Sequence, residues 1–213
     1  MDFLLKVGQG KHINDIYDNE YLFFNSFSTF RTNDKDPCGR NDPREANIKN
    51  KQVTYLEITT PTGKTIKLSE ISKEFSAQYN EFPTVIPNNI CSLYTLHLRV
   101  DFSYEKIDDR VLCLGDKTLL IYNLGQFFEI LDDSIDRQKF QFSRKPVTYY
   151  NYKTLDGDLT FHHKDDSFSY QSEYRIFLKT PGTEKIKIEL PGLKRISAVV
   201  DTNKINTLEL KMV

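Results

Sequence analysis

The sequence predicts an α+β fold, with a mostly antiparallel sheet and two principal helices packed on it, in a single domain over residues 1–213. Short aromatic and aliphatic runs of strand length alternate with Pro-Gly and polar turns. Two segments carry apolar residues at helical spacing behind a capping residue. A length of 213 residues, 38% of them hydrophobic and without a low-complexity linker, suits one large core.

The strands are predicted from apolar runs bounded by polar or turn-forming residues. These runs cover residues 3–7, 21–27, 52–60, 64–68, 91–100, 118–122, 147–152, 170–179, 185–190, 197–201 and 207–212. We expect 3–7 to be a short edge strand and 91–100 to be a central strand. The runs 52–60 and 64–68 are expected to form a hairpin that turns at Pro61-Thr62-Gly63.

Two amphipathic helices are predicted to pack on this sheet. The first begins at Ser69 and ends near Pro83, and the second begins after Asn123. Their inward-facing residues are Ile71, Phe75, Tyr79 and Phe82 in the first helix, and Phe127, Phe128, Leu131 and Ile135 in the second.

Charge and cysteine content narrow the classes of partner and compartment. Lys and Arg (29) nearly balance Asp and Glu (30), so the sequence shows no strong signature of nucleic-acid binding. It also has no net positive charge that would attract the protein to an anionic membrane. Cys38, Cys91 and Cys113 are far apart and form no CxxC pair, which disfavours a zinc site. No apolar run is long enough for a membrane span. We therefore expect a soluble cytoplasmic protein with reduced, buried thiols.

The strand predicted at 170–179 carries the first candidate site. Strand alternation places Gln171, Glu173 and Arg175 on one face, with roughly 7 Å between successive side chains. A carboxylate between an amide and a guanidinium on a rigid strand can hold a polar ligand. The same pattern also fits a half-exposed strand with a cross-strand ion pair, and the strand alone does not choose between these.

A long polar loop at 31–50 carries the second candidate site. Arg31, Arg40 and Arg44 could bind phosphate or carboxylate through paired hydrogen bonds, and Asp42 and Glu45 lie among them. Loops of this length are usually functional or mobile. The alternative is a solvated turn in which these charges pair with one another at little energetic gain.

The pair His162-His163 precedes Lys164-Asp165-Asp166 and is expected to lie on an exposed loop rather than at a metal site. Adjacent residues of a strand point to opposite faces, so two such imidazoles would not share one ion there. The sequence has no nucleophile-elbow serine, no phosphate-binding glycine-rich loop and no HExxH helix, and it leaves the cofactor unknown.

Several segments together resemble a group of bacterial and phage proteins related to the abortive-infection protein AbiGi. They are Tyr21-Leu22-Phe23-Phe24 leading to Phe30-Arg31, then the segment 40–45, Ile90-Cys91-Ser92-Leu93-Tyr94, Gly115-Asp116, and Tyr170-Gln171-Ser172-Glu173-Tyr174-Arg175-Ile176. The resemblance implies a role in conflict between phage and host. It selects as site positions Arg31, Arg40, Asp42, Glu45, Glu173 and Arg175. This chain has Ala46-Asn47 where a glycine often follows the acidic residue.

The tripeptide Gln171-Ser172-Glu173 is also similar to the catalytic strand of ADP-ribosyltransferases. That similarity implies that Glu173 stabilises an oxocarbenium-like sugar, that Gln171 orients the acceptor, and that Arg31 holds the dinucleotide. The central Ser-Thr-Ser strand of those enzymes is missing, because Ser28-Thr29 lies too early in the chain to replace it.

Two function classes follow from these patterns. The first is a nucleotide- or nucleic-acid-directed enzyme with Glu173 as its key carboxylate and the 31–50 loop over the substrate. A metal nuclease using Asp42, Glu45 and Glu173 is a variant of it. The second is a non-catalytic antitoxin-like or inhibitor module that binds a protein partner through its many tyrosines. The possible partners are thus a nucleotide ligand or a protein.

Overall fold

A computed structural model describes residues 2–32, 34, 36–67, 77–83, 88–101 and 103–209. Its strands are β1 (Asp2–Gly8), β2 (Tyr21–Ser26), β3 (Lys49–Val53), β4 (Glu57–Thr59), β5 (Thr65–Lys67), β6 (Ala77–Glu81), β7 (Asn88–His97), β8 (Lys117–Ile121), β9 (Gln141–Pro146), β10 (Thr148–Tyr150), β11 (Gly157–Asp158), β12 (His163–Asp165), β13 (Glu173–Lys179), β14 (Ile186–Glu189) and β15 (Ser197–Asp201). Its α-helices are α1 (Gly10–Asp18), α2 (Asp109–Leu112) and α3 (Leu124–Arg137).

Eight of these strands form one antiparallel sheet, which confirms the α+β class. The strand order is β14-β2-β7-β1-β8-β15, and β13 joins β7 to β9. The predicted edge strand is wrong, because β1 lies inside the sheet between β7 and β8. Its consecutive buried residues Phe3, Leu4 and Leu5 fit a strand inside a sheet that is covered on both faces.

Strand alternation divides the core between the two faces of the sheet. Leu4 belongs to a large cluster that also contains Ile13 of α1 and Leu131 of α3. Leu5, one residue later, belongs to a second cluster with Val111 of α2. The two longer helices therefore cover one face, and the other face is covered by α2 and by loops.

The helix after Asn123 is confirmed as α3, and the Asn123 side chain accepts a hydrogen bond from the Gln126 amide. The second principal helix is α1, which begins after Gln9 without a side-chain cap. The predicted helix at 69–83 is wrong over Ala77–Glu81, which forms β6, and its residues 69–76 lie outside the described residues. Among the described residues, no helix is long and apolar enough to span a bilayer.

Other differences concern strand boundaries. The predicted strand 52–60 is divided between β3 and β4, and β4 pairs with β5 as the expected hairpin. Strand β13 begins only at Glu173, because Asp166–Gln171 is a 3-10 helix and Ser172 has a positive φ of 38°. At the predicted strand 207–212, residues 207–209 are not a strand and 210–213 lie outside the described residues.

The expectation of three reduced, buried thiols is also wrong. Cys91 is buried and free, whereas Cys38 and Cys113 form a disulfide with their Cα atoms 5.6 Å apart. The bond joins residues 75 positions apart in sequence. Sequence spacing could not predict this pair, because the fold alone brings the 31–50 loop to the end of α2.

Candidate functional site: a cleft where the sheet opens

The candidate site lies beside β7, at the gap between the two strands, β2 and β1, that pair with one of its edges. Strand β13 pairs with β7 along one edge, from Asn88 to Tyr94. On the other edge, β2 pairs at residues 89–90 and β1 at residues 94–97. Residues 91–93 face neither strand there, and Lys6 enters the gap, where its Nζ donates to the Ser92 carbonyl at 2.9 Å. The sheet is therefore open at its centre.

A cleft of about 390 Å³ occupies this opening. Its apolar lining comes from both cores and includes Leu5, Ile13 and Val111. Its polar and charged lining consists of Lys6, Gln9, His12, Asn25, Arg40, Glu45, Ser92, Tyr94, Lys164, Gln171 and Glu173. Four of the predicted site residues thus line one cavity, namely Arg40, Glu45, Gln171 and Glu173.

A buried network of charges forms the wall of this cleft on the β13 side. Arg175, 1% exposed, donates from Nε to Glu173 Oε1 at 2.7 Å. Its two terminal nitrogens donate to the two Glu45 oxygens at 2.8 and 3.1 Å. Lys164 Nζ lies 3.1 Å from Glu173 Oε2 and 3.8 Å from Glu45 Oε2, and Ser92 Oγ donates to Glu173 Oε1 at 2.5 Å. Two carboxylates and two cations are therefore paired out of water.

The network keeps Glu173 ionised. Burial alone would raise the pKa of this carboxyl, but the charges of Arg175 and Lys164 and the hydrogen bonds from Arg175 and Ser92 outweigh it and hold the pKa well below its usual value. The pKa of Lys164 is raised, because Glu173 and Glu45 outweigh the effect of burial. Glu173 is thus suited to accept hydrogen bonds and to stabilise positive charge, and it is unsuited to proton transfer near neutral pH.

The turn at Asp42-Pro43 brings Glu45 to this wall. The Asp42 side chain accepts from the Arg44 amide at 2.8 Å, and its carbonyl accepts from the Glu45 amide at 3.0 Å. Burial, followed by the nearby charge of Glu45, raises the pKa of Asp42 to about 6. Asp42 is therefore a buried turn residue whose carboxyl gains a proton readily.

The residue after Glu45 has the backbone conformation that favours glycine. Ala46 has a φ of 61° and is buried against Phe27 and Ile90. The buried methyl group of Ala46 offsets part of the conformational cost here.

Gln171 is not on the strand with Glu173, although it still borders the cleft. It ends the 3-10 helix before β13, so the predicted face of three residues holds for Glu173 and Arg175 only. Its Oε1 accepts from Lys164 Nζ at 2.7 Å, and its Nε2 donates to the Gly39 carbonyl at 2.7 Å. Gln171 thus connects the charged wall to the 31–50 loop.

The three arginines of that loop lie in different places. The exposed Arg40 lines the cleft, and its Nη2 donates to the Leu114 carbonyl at 2.5 Å. Arg31 stacks on Phe82, with 3.8 Å from Cζ to the ring centre. Arg44 stacks on Tyr152 at 3.6 Å. Arg40 is therefore the loop arginine placed to meet a ligand in the cleft.

The expectation of an exposed loop is wrong for His162. This residue is 4% exposed, and its Nε2 lies 2.7 Å from Ser143 Oγ. Burial, with the positive charges of Lys145 and Arg175, lowers the pKa of His162 to about 4. Over the described ranges, no group of three or more His, Cys, Asp or Glu residues is arranged to hold a metal ion.

The Gly115-Asp116 pair packs against the turn from β1 into α1, whose residues Gly8 and Gln9 line the cleft. A Cβ on Gly115 would lie 1.9 Å from the Gly8 carbonyl carbon, so the two chain segments touch there. Asp116 Oδ1 accepts from the Gly10 amide at 2.7 Å and thus satisfies the first turn of α1. Both residues therefore fix the strand-to-helix turn that borders the cleft.

Sequence reasoning missed the two lysines and the serine of this site. Lys164 lies in a polar run that indicates an exposed loop, yet it is 6% exposed. Ser92 and Lys6 are single polar residues within otherwise apolar strands, a pattern that is common in solvent-facing strands. Only their convergence in three dimensions distinguishes these residues from surface positions.

Comparison with known proteins finds no matching family model, no matching curated protein and no matching solved structure. The resemblances to AbiGi-related proteins and to ADP-ribosyltransferases therefore stay predictions from short motifs.

Proposed function

We propose that the cleft binds a nucleotide and that the protein is an enzyme acting on it, with Glu173 as an electrostatic group. The observation that carries this proposal is the buried pairing of Glu173 with Arg175 and Lys164 directly on a cleft of about 390 Å³. Small-molecule sites have volumes of roughly 300–1,000 Å³ and combine apolar walls with a few fixed polar groups. The cleft meets both conditions.

The charges around the cleft favour an anionic ligand. Three cations line the cleft, namely Lys6, Arg40 and Lys164. Only two carboxylates line it, those of Glu45 and Glu173. Arg175, directly behind the wall, adds a further positive charge. A phosphate group near Lys6 and Arg40 would gain charge-assisted hydrogen bonds.

Glu173 supports a role toward the sugar of such a ligand. Its Oε1 accepts from Arg175 and Ser92, whereas Oε2 accepts from Lys164, which leaves Oε2 with capacity for a ligand hydroxyl. An ionised carboxylate at that position would also stabilise a cationic sugar as a leaving group departs. Gln171 acts as a positioning residue here, because both ends of its amide are engaged.

The test uses ATP, NAD and ADP-ribose as probes against wild-type protein and two arginine variants. Arg40→Gln removes a cation of the cleft, and Arg99→Gln removes an exposed arginine that pairs with Glu105 on the surface. We expect at least one probe to raise the melting temperature, with an affinity about tenfold weaker in Arg40→Gln, as loss of one charged hydrogen bond implies. Arg99→Gln should bind as wild type does. Absence of any thermal shift at millimolar probe concentration would refute the proposal.

The setting of this activity, conflict between phage and host, is proposed from the resemblance alone. We expect expression of the wild-type protein to change plaque formation by at least one phage in a susceptible host. Arg40→Gln should lose that effect, and Arg99→Gln should keep it. Equal plaque counts with and without the protein across a broad phage panel would remove the support for this setting.

A non-catalytic interaction module is the second candidate, and one surface feature favours it. Tyr55, Leu56 and Ile58, next to or within β4, are 54%, 41% and 47% exposed. Apolar side chains grouped in this way are typical of protein contact surfaces. A stoichiometric complex that is lost in Leu56→Ser and kept in a Val100→Ser control would support this candidate, provided that the cleft binds no nucleotide.

A further inference from the structure

The disulfide between Cys38 and Cys113 lies at the rim of the cleft, outside the hydrophobic core. Cys38 belongs to the loop between β2 and β3, and Cys113 follows the last residue of α2. The residues immediately after each cysteine line the cleft, namely Gly39 and Arg40 on one side and Leu114 on the other. The covalent bond therefore joins two parts of the cleft wall directly.

Non-covalent contacts across the same junction depend on the position of the loop. Arg40 donates to the Leu114 carbonyl at 2.5 Å. Arg40 is exposed, so that hydrogen bond by itself adds little stability in water. Without the disulfide, the loop would keep this weak contact with the segment after α2 but no covalent bond to it.

The other side of the loop is connected to the charged wall. The Gly39 carbonyl accepts from Gln171 Nε2 at 2.7 Å, and Gln171 Oε1 accepts from Lys164 Nζ at 2.7 Å. Gly39 has a φ of 68° and rests on the Tyr170 hydroxyl, which would lie 1.8 Å from an added Cβ. A shift of this loop would therefore move the hydrogen-bond partner of Gln171, which in turn positions Lys164 beside Glu173.

The disulfide is accessible to a reductant, and the third cysteine is not. Cys113 is exposed and Cys38 is half-buried, whereas Cys91 is buried in the core, where burial raises the pKa of its thiol. Cys91 is 1% exposed and belongs to the main core cluster, so disulfide exchange with the pair would require that core to unpack. The rim bond can thus change its redox state while Cys91 stays inert.

We propose that the Cys38–Cys113 disulfide is a redox lock on the cleft: in the oxidised protein it holds the loop at the rim, and its reduction releases the loop and weakens ligand binding. This inference rests on the proposed nucleotide-binding function for its effect on affinity. A thiolate of a dithiol attacks Cys113 Sγ, the S–S bond breaks, and Cys38 leaves as a thiolate that takes up a proton. The second thiol of the reductant then displaces Cys113 and forms the reductant's own disulfide, so that two electrons pass to the protein.

The test compares oxidised wild-type protein, dithiothreitol-reduced wild-type protein and the variant Cys38→Ser. Hydrogen exchange is followed at the Gly39 amide, which donates to Asp36, and at the Asp42 amide, which donates to Phe30. We expect both amides to exchange at least tenfold faster after reduction and equally fast in Cys38→Ser. Dithiothreitol should cause no further change in Cys38→Ser, which controls for other effects of the reductant.

ATP affinity is measured on the same three samples. We expect at least a fivefold weaker affinity in the reduced protein and in Cys38→Ser than in the oxidised protein. Unchanged exchange after reduction, or two reactive thiols in protein purified without reductant, would overturn the lock. If oxidised wild-type protein binds no ATP, NAD or ADP-ribose, the proposed function fails, and the exchange measurements still decide whether the loop is locked.

Discussion

Replacement of Glu173 by alanine tests whether the buried charge network holds this region together. Glu173 is 4% exposed, and its removal leaves Arg175 and Lys164, 1% and 6% exposed, with Glu45 as their shared carboxylate partner. Removing one partner of a buried ion pair costs about 3–5 kcal/mol, because an uncompensated charge stays out of water. We therefore expect the free energy of unfolding to fall by about 4 kcal/mol, which corresponds to a melting temperature lower by roughly 12 °C for a chain of this size.

The measurement is urea unfolding followed by far-ultraviolet circular dichroism. Glu129→Ala, at an exposed position of α3, is the matched control and should change stability by about 0.5 kcal/mol or less. The double variant Glu173→Ala/Lys164→Met should lose less than the sum of the single losses, with a coupling energy of about 1 kcal/mol or more, since one stranded charge is removed. A loss below about 1 kcal/mol for Glu173→Ala would refute the reasoning, since a stranded buried pair costs several times as much.

Three further predictions, at Asp42, His162 and Gly115, concern pH dependence and backbone packing. Burial raises the pKa of Asp42 to about 6, so the native state binds a proton that the unfolded chain releases near pH 4, and stability due to this group falls as pH rises from 4 to 6. Asp42→Asn should therefore gain stability relative to wild type at pH 7.5, by about 2 kcal/mol, and little at pH 4.5 in urea unfolding. Burial lowers the pKa of His162 to about 4, so the stability due to His162 is lost as pH falls from 6.5 to 4. The free energy of unfolding of His162→Gln, relative to that of wild type, should therefore be higher at pH 4.5 than at pH 7.5. Identical pH profiles for both variants and wild type would contradict these assignments. Gly115→Ala places a Cβ 1.9 Å from the Gly8 carbonyl carbon and should cost about 3 kcal/mol or more in the same assay, whereas Gly157→Ala, with nothing within 4 Å, should cost less than about 1 kcal/mol.

The fold class and much of the sheet could be predicted from local patterns. Strand β8 is an apolar run with clear boundaries, and α3 combines an Asn123 cap with inward residues at helical spacing. Helix α1 was missed because Gln9 provides no side-chain cap and its apolar residues are few. The stretch Ala77–Glu81 shows the limit of periodicity: Tyr79 has helical spacing to Phe75 and Phe82 in the sequence, but it also alternates with Ala77 as in a strand.

The candidate site could be predicted in part. Glu45, Glu173 and Arg175 were selected from the sequence, and the structure joins them in one network. Lys164 could not be predicted, because its neighbours in sequence are polar and its carboxylate partners, Glu173 of β13 and Glu45 of the 31–50 loop, are set by the fold. The disulfide partner of Cys38 was equally hidden, since 75 residues separate it from Cys113.

The charge network and the opening in the sheet are best understood together. At residues 91–93 one edge of β7 pairs with neither β1 nor β2, so within the described part of the chain that edge offers backbone polar groups to a cleft. Lys6 satisfies the Ser92 carbonyl in this gap, and the Ser92 side chain donates to Glu173 on the adjacent strand. A network of paired charges adds little net stability compared with apolar packing, so stability alone does not explain why the cleft wall is built from ions. Fixed charges beside an opened sheet provide oriented groups for a polar ligand without reorganisation when it binds, and this combination favours a binding site over an ordinary sheet face.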